Sequence, residues 1–370
     1  MKDHELAAFV RAPQILPPNR VRRSYRGGSL LDRFRGNPCP EDNYFPEDWV
    51  GSTTTTRMLG RPTDEGLSRI SLPDQQSIFL RDALRSCPET MLGEAHVRHH
   101  GTELALLCKL LDSAMRLPLQ VHPTAAFARK FLASPFGKTE CWIVIETRII
   151  ENENPYVLFG FKTGVTNKEF ERATAAQATV AQIDMLHRIP VRPGDAYLVP
   201  AGTPHAIGPG VFLLEVQEPT DLTISVEYSF AGSTRSPEQC FLGLGFERAM
   251  RCFDYTANGT EFIRRCALDA RVIDEGRDGV VEELVGAANT PCFEVLRLRV
   301  RGTHTWRRDG RACVAIVIEG KGRLLWQDGE HPLHPGDSFF LPAYCDELTL
   351  HHTADQPLTV LACLPPRTHS

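Results

Sequence analysis

Apolar positions in this chain fall mostly into short runs cut by proline and glycine, which is the spacing of strands rather than of long helices. Residues 1–40 are rich in Arg, Pro and Gly and read as an irregular arm packed on something larger. Residues 47–54 read as a strand entering a Thr-rich segment. A helix is predicted over 77–85, while the apolar run within 103–112 fits helix or strand. Residues 117–122 read as a strand stopped by Pro123, followed by a helix over 124–133 with Thr124 as its cap. A strand over 141–148 is paired in expectation with 156–161 as a hairpin. The longest helical pattern covers 167–187, with Asn167 as cap and Phe170, Ala173, Ala176, Val180, Ile183 and Leu186 at helical spacing. Helix signals then nearly vanish. Residues 191–200, 210–217 and 222–228 read as strands, 231–290 as a connector, and strand spacing returns over 292–364.

Composition narrows the class. The chain has 370 residues, 42% hydrophobic and 24% charged, an ordinary globular balance. Its net charge of -5 and pI near 6.2 give no basic footprint for nucleic acid or anionic lipid. No apolar run reaches 18 residues, so no membrane partner is expected. The start lacks a signal-peptide core. The 11 cysteines have no CxxC spacing and most sit in apolar runs. That pattern points to buried reduced thiols and a cytoplasmic protein.

A repeat sets the architecture. Residues 192–201, Arg-Pro-Gly-Asp-Ala-Tyr-Leu-Val-Pro-Ala, return at 334–343 as His-Pro-Gly-Asp-Ser-Phe-Phe-Leu-Pro-Ala. Pro-Gly-Asp makes a tight turn, and an apolar strand follows it. The first copy runs on into Gly202-Thr-Pro-His205. The second has Glu347 at the offset of His205.

Candidate chemistry gathers around the first copy. Gln120 and His122 share one face of an extended strand. With Glu140 and His205 they form a set of two imidazoles, a carboxylate and an amide. That set suits one divalent ion such as Zn²⁺, with room for water or substrate. Each residue alone also fits a hydrogen-bonded polar position on a half-buried sheet; the set is what points to metal.

The Pro-Gly-Asp element and the segment 315–326 resemble cupin domains. The predicted fold is therefore mainly β: two cupin (jelly-roll) β-sandwich domains with a small helical addition. The expected division is an arm over 1–95 packing on the first cupin, a metal-binding cupin over 96–230 with its helical insertion about 167–187, a connector over 231–290, and a C-terminal cupin over 291–370 without a metal site. Cys108 to Pro123, Gly137 to Trp142, Val199 to Ala206 and Leu214 to Thr223, in this order, resemble the type I mannose-6-phosphate isomerases, particularly their short bacterial form. Tyr25 to Gly28 and Glu47 to Trp49 are weaker echoes.

The resemblance implies zinc held by Gln120, His122, Glu140 and His205. It implies catalytic roles for Lys138, Glu215 and Asp221, and a mannose 6-phosphate to fructose 6-phosphate interconversion through an enediol. Two positions depart from the family pattern. Ser225 stands where the family has an arginine, and Pro118 where it often has a phosphate-facing serine. These departures keep two alternatives open: an unphosphorylated or modified sugar as substrate, or a sugar-binding protein without turnover. Arg26 and Lys109 are the expected substrate-binding cations, and Arg20, Arg22, Arg23 and Arg235 are further candidates to replace the missing arginine. The partner expected is a small sugar or sugar phosphate, and the chain a monomer or homodimer.

Overall fold

The computed structural model describes residues 3–73 and 75–368. Most of the chain lies in two antiparallel β-barrels, each flattened into two sheets. In the first, one sheet has the order Ala196–Val199, Glu140–Thr147, Val211–Gln217, Leu107–Asp112, Glu47–Val50, Arg20–Val21. Facing it are Leu186–Pro190, Tyr156–Phe161, His205–Ile207, Gln120–Val121 and Ile224–Ser225. The second barrel sets a seven-stranded sheet, built around Cys313–Glu319 and Leu358–Leu364, against four strands from Thr303–Arg307 to Gly329–Leu333.

Period-two alternation explains how the barrels meet. On Val211–Gln217, Val211 and Leu213 fill the first barrel with Trp142, Val144 and Phe159. Phe212 and Leu214 point the other way, into an apolar layer shared with Val314, Ile316, Phe340, Leu361 and Cys363 of the second barrel. Both faces of this strand are therefore buried, and every one of its residues is buried, consistent with its nearly continuous apolar sequence. The barrels stand back to back. The interior of the second is lined by Leu298, Val317, Leu324, Phe339, Leu348 and Val360.

The repeat occupies matching places. Ala196–Val199 pairs with Glu140–Thr147 so that Val199 faces Glu140. Ser338–Leu341 pairs with Cys313–Glu319 so that Leu341 faces Cys313. Likewise His205 faces Gln120, and Glu347 faces Arg307.

Several expectations are corrected. Residues 141–148 and 156–161 are not a hairpin: Glu140–Thr147 pairs with Ala196–Val199 and Val211–Gln217, and Tyr156–Phe161 belongs to the facing sheet. The helical pattern over 167–187 breaks into Asn167–Ala175 and Thr179–Asp184, with Gln177 between them at φ 51°, and Leu186–Pro190 is a strand. The cap is Thr166, in a reciprocal capping box with Glu169, rather than Asn167. The predicted helix over 77–85 begins only at Leu80, after the strand Ser77–Phe79. The strand over 117–122 shortens to Gln120–Val121, and the ambiguous run over 103–112 yields the strand Leu107–Asp112.

The segment 231–290 holds the short helices Pro237–Cys240, Phe246–Met250 and Gly259–Cys266, none longer than 8 residues. It also gives Arg271–Glu275 and Gly279–Val285 to the second barrel's sheet. The arm touches both barrels, since Gln14–Ile15 pairs with Phe339 and Phe340. Among the described residues no helix is long and apolar enough to cross a membrane.

Candidate metal centre

One end of the first barrel is polar inside. His122 follows Gln120–Val121, Glu140 opens its strand and His205 opens another. Their donor atoms lie within 4.8 Å of one another, the only such group among the described residues. Backbone contacts fix the frame. Gly202 N–H donates to the His122 carbonyl at 2.8 Å, from a φ of +91° that favours glycine. The Glu218 carboxylate accepts from Gly137 N at 3.0 Å and Thr139 N at 2.8 Å, holding the turn that carries Lys138 and Glu140.

The imidazoles are oriented for ligation. His122 Nδ1 donates to the Leu222 carbonyl at 2.8 Å and His205 Nδ1 to the Thr203 carbonyl at 2.9 Å. Each Nε2 is then a lone pair facing Glu140, at 3.3 Å and 3.5 Å from its oxygens. Burial, and after it Lys138, pushes the His122 imidazole down to about 3; burial also lowers His205. Both are neutral at physiological pH, the form a metal takes.

Glu140 Oε1 accepts from Trp142 Nε1 at 3.0 Å. Its Oε2 is buried without a hydrogen bond, although Lys138 Nζ stands 3.1 Å away. Burial works against the Glu140 charge, but Lys138 and the imidazoles more than reverse this and hold it well below the usual carboxylate range. Two lone pairs and an anion with an unused oxygen fit a divalent cation. Gln120 Nε2 lies 3.2 Å from His205 Nε2. Turning that amide over would present its oxygen at the same place.

Around this centre runs a chain of buried charges. Lys138 Nζ donates to His122 Nε2 at 2.8 Å and lies 3.9 Å from Glu215. Lys109 donates to Glu215 at 2.9 Å and covers the Trp49 ring at 5.0 Å. Burial opposes the Lys109 charge, yet Glu215 and Glu47 raise its pKa overall. Asp221 is held by Arg23 at 3.0 Å and by the Arg57 N–H, also at 3.0 Å. Burial would raise its pKa, but Arg23 and then Lys109 keep it far below the usual carboxylate range. Its carboxylate is therefore a weak proton acceptor.

Arg26 does not join the centre. It is exposed and donates to the Asp42 carbonyl. The Asp42 carboxylate meets Arg148, just past the far end of Glu140–Thr147, some 26 Å along the strand from Glu140 at about 3.3 Å per residue. Of the other candidate cations, Arg20 is paired with Asp32, Arg22 lies over Tyr44, and Arg23 is paired with Glu47 and Asp221. Arg235 reaches Ser225. Sequence reasoning missed Glu218, and Glu47, which accepts from Tyr25 and Trp49. The echoes at 25–28 and 47–49 were the available signal for Glu47.

In the second barrel the equivalents of Glu140, Gln120 and His205 are Cys313, Arg307 and Glu347. Arg307 and Glu347 form an ion pair of 2.6 Å.

The profile of the family described as mannose-6-phosphate isomerase, cupin domain, matches residues 287–355. The mannose-6-phosphate isomerase ManA of Bacillus subtilis is 28% identical over 70% of this chain and 78% of its own length. The enzyme of the same name from Streptococcus mutans is 28% identical over 64% of this chain and 68% of its own. The crystal structure of the mannose 6-phosphate isomerase from Bacillus subtilis superposes with a TM-score of 0.74 at 24% identity, covering 95% of this chain and 99% of that one. The chain is thus similar to mannose-6-phosphate isomerases in sequence and in fold. The family profile falls on the second barrel, whereas the candidate metal-ligating set lies in the first.

Proposed function

We propose that the chain is a zinc-dependent isomerase interconverting mannose 6-phosphate and fructose 6-phosphate, with the ion held by Gln120, His122, Glu140 and His205. The observation that carries this is the convergence of two fixed imidazole lone pairs and the unused Glu140 oxygen at one barrel mouth, in a chain similar to mannose-6-phosphate isomerases. Catalysis is assigned to the barrel within 96–230, and a supporting role to the barrel of the C-terminal segment. Cytoplasmic residence is part of the same proposal, since most of the cysteines are buried thiols.

When bound, the ion supplies a Lewis acid that draws electron density from the sugar's carbonyl oxygen. The isomerisation removes the proton on C2 of the aldose and returns one to C1; meanwhile the C1 oxygen gains a proton and the C2 oxygen loses one. Lys138 is the basic side chain beside the donors and is assigned to hold and move the proton. Glu215, fixed by Lys109, is its partner carboxylate. Asp221 and Arg23 position the wall behind them rather than exchange protons. Nearly all of these groups are buried, so water is largely excluded from the charges.

Isomerase assays that consume the product, fructose 6-phosphate from mannose 6-phosphate and fructose from free mannose, test this. Turnover of mannose 6-phosphate well above that of free mannose is expected. Turnover of free mannose alone would favour the unphosphorylated-sugar reading, and no turnover of either the binding-only one.

A further inference from the structure

Beside the candidate metal centre stands a cation, Arg235, that has no carboxylate partner among the described residues. Ser225 lies directly opposite Gln120 on the neighbouring strand, where paired residues are about 4.5–5.5 Å apart at Cα and present their side chains on the same face. The Ser225 hydroxyl accepts from Arg235 Nη2 at 3.0 Å. Arg235 arrives there from the end of the small hairpin Ser229–Phe230 and Ser233–Thr234, and its own N–H donates to the Tyr228 carbonyl at 2.8 Å.

Arg235 is half-buried, and among the described residues no carboxylate pairs with it. The nearby acid, Glu227, is already used. Both its oxygens accept from Arg116, at 2.6 and 2.9 Å, and one also from Leu119 N at 2.6 Å. Three other cations at this end of the barrel are committed: Arg23 to Glu47 and Asp221, Lys109 to Glu215, Lys138 to Glu140. A guanidinium has five donors in a planar fork, and Arg235 uses one on a neutral hydroxyl. A half-buried cation without an anion is a site for one, and phosphate matches the fork through two parallel hydrogen bonds.

We infer that Arg235 is the phosphate-binding, specificity-determining residue of this site, its guanidinium seated on Ser225 beside Gln120. The inference rests on the sugar-phosphate reading above for the identity of the substrate, but not for the binding of phosphate itself. Arg235 contacts none of the metal-ligating atoms, so its loss should act on substrate affinity and leave the ion in place.

The test compares the metal-loaded wild type with Arg235→Gln and Arg235→Lys. Arg235→Gln should raise KM for mannose 6-phosphate about 10–100-fold, the range for losing one charge-assisted contact, with kcat changed far less. Inorganic phosphate should inhibit the wild type competitively, and calorimetry should show its binding weakened by a similar factor in Arg235→Gln. Arg235→Lys should recover part of both effects. Metal content and melting temperature should match the wild type; if Arg235→Gln fails to fold, Arg235→Lys, which keeps charge but loses the fork, carries the comparison. An active wild type whose KM and phosphate affinity are unmoved in the variants overturns the inference and leaves the isomerase reading intact. A wild type without turnover that binds phosphate through Arg235 does the reverse. Phosphate binding absent from the wild type also overturns the inference.

Discussion

At the scale of the residue, the centre depends on neutral imidazoles held in one tautomer. Carbonyls of Leu222 and Thr203 take the Nδ1 protons, leaving Nε2 for an ion. His122→Ala or His205→Ala should lose the ion and cut turnover by at least ~100-fold, given that even groups behind the ligands contribute 10–100-fold. His351→Ala, on the second barrel, should leave both unchanged. Metal content by atomic emission, alongside kcat, checks this. Asp221 makes a different prediction. Removing one partner of a buried ion pair leaves the other charge uncompensated, so Asp221→Asn should destabilise by about 3–5 kcal/mol in denaturant unfolding. Because its folded-state pKa lies below the ordinary value of 3.8, Asp221 stabilises the fold above that pH. The contribution is lost as pH falls further, and the Asn variant should lack that part of the acid dependence.

Among elements, the turn from Gly137 to Glu140 matters most. Glu218 clamps it, and Lys138 N–H donates to the Pro123 carbonyl at 2.9 Å. A Cβ on Gly137 would stand 2.5 Å from both the Pro123 oxygen and the Ala125 nitrogen. Gly137→Ala should therefore push Lys138 and Glu140 away from His122, lowering turnover at least ~10-fold along with metal affinity. Unchanged metal affinity and kcat in that variant would contradict this placement.

Elements also show what the sequence made legible. The repeat at 192–201 and 334–343, with its strands, was plain because Pro-Gly-Asp turns and apolar runs are local signals. Strand partners were not, because consecutive segments such as 141–148 and 156–161 cross between sheets, and pairing is a long-range choice. The helix over 167–187 was overextended because Gln177 breaks it with a left-handed turn that the apolar spacing conceals. In the centre, the grouping of His122, Glu140 and His205 followed from residue types. The surroundings of Arg26 and Asp221 did not, since both depend on which charges the fold brings alongside: Asp42 and Arg148 for one, Arg23 for the other.

On the scale of the molecule, two barrels of the same plan have different interiors. The first keeps Glu140, Glu215, Lys109, Gln120 and His205 at its mouth; the second replaces them with Cys313, Ala362, Leu296, Arg307 and Glu347. Its contribution is the apolar layer that covers Phe212, Leu214 and Cys108. A fragment ending at residue 230 would expose that face and lose the connector's strands and helices, so it should be insoluble or molten. The whole chain should unfold in a single calorimetric transition. A soluble, active fragment would show the second barrel dispensable.

Isomerisation should require one ion at the first barrel's mouth. Mannose 6-phosphate turnover should be followed while the protein is stripped by chelator and then titrated with Zn²⁺. Activity should vanish with the ion and return in proportion to it, saturating at one equivalent per chain. Full activity in protein shown by atomic emission to be metal-free would contradict a metal requirement.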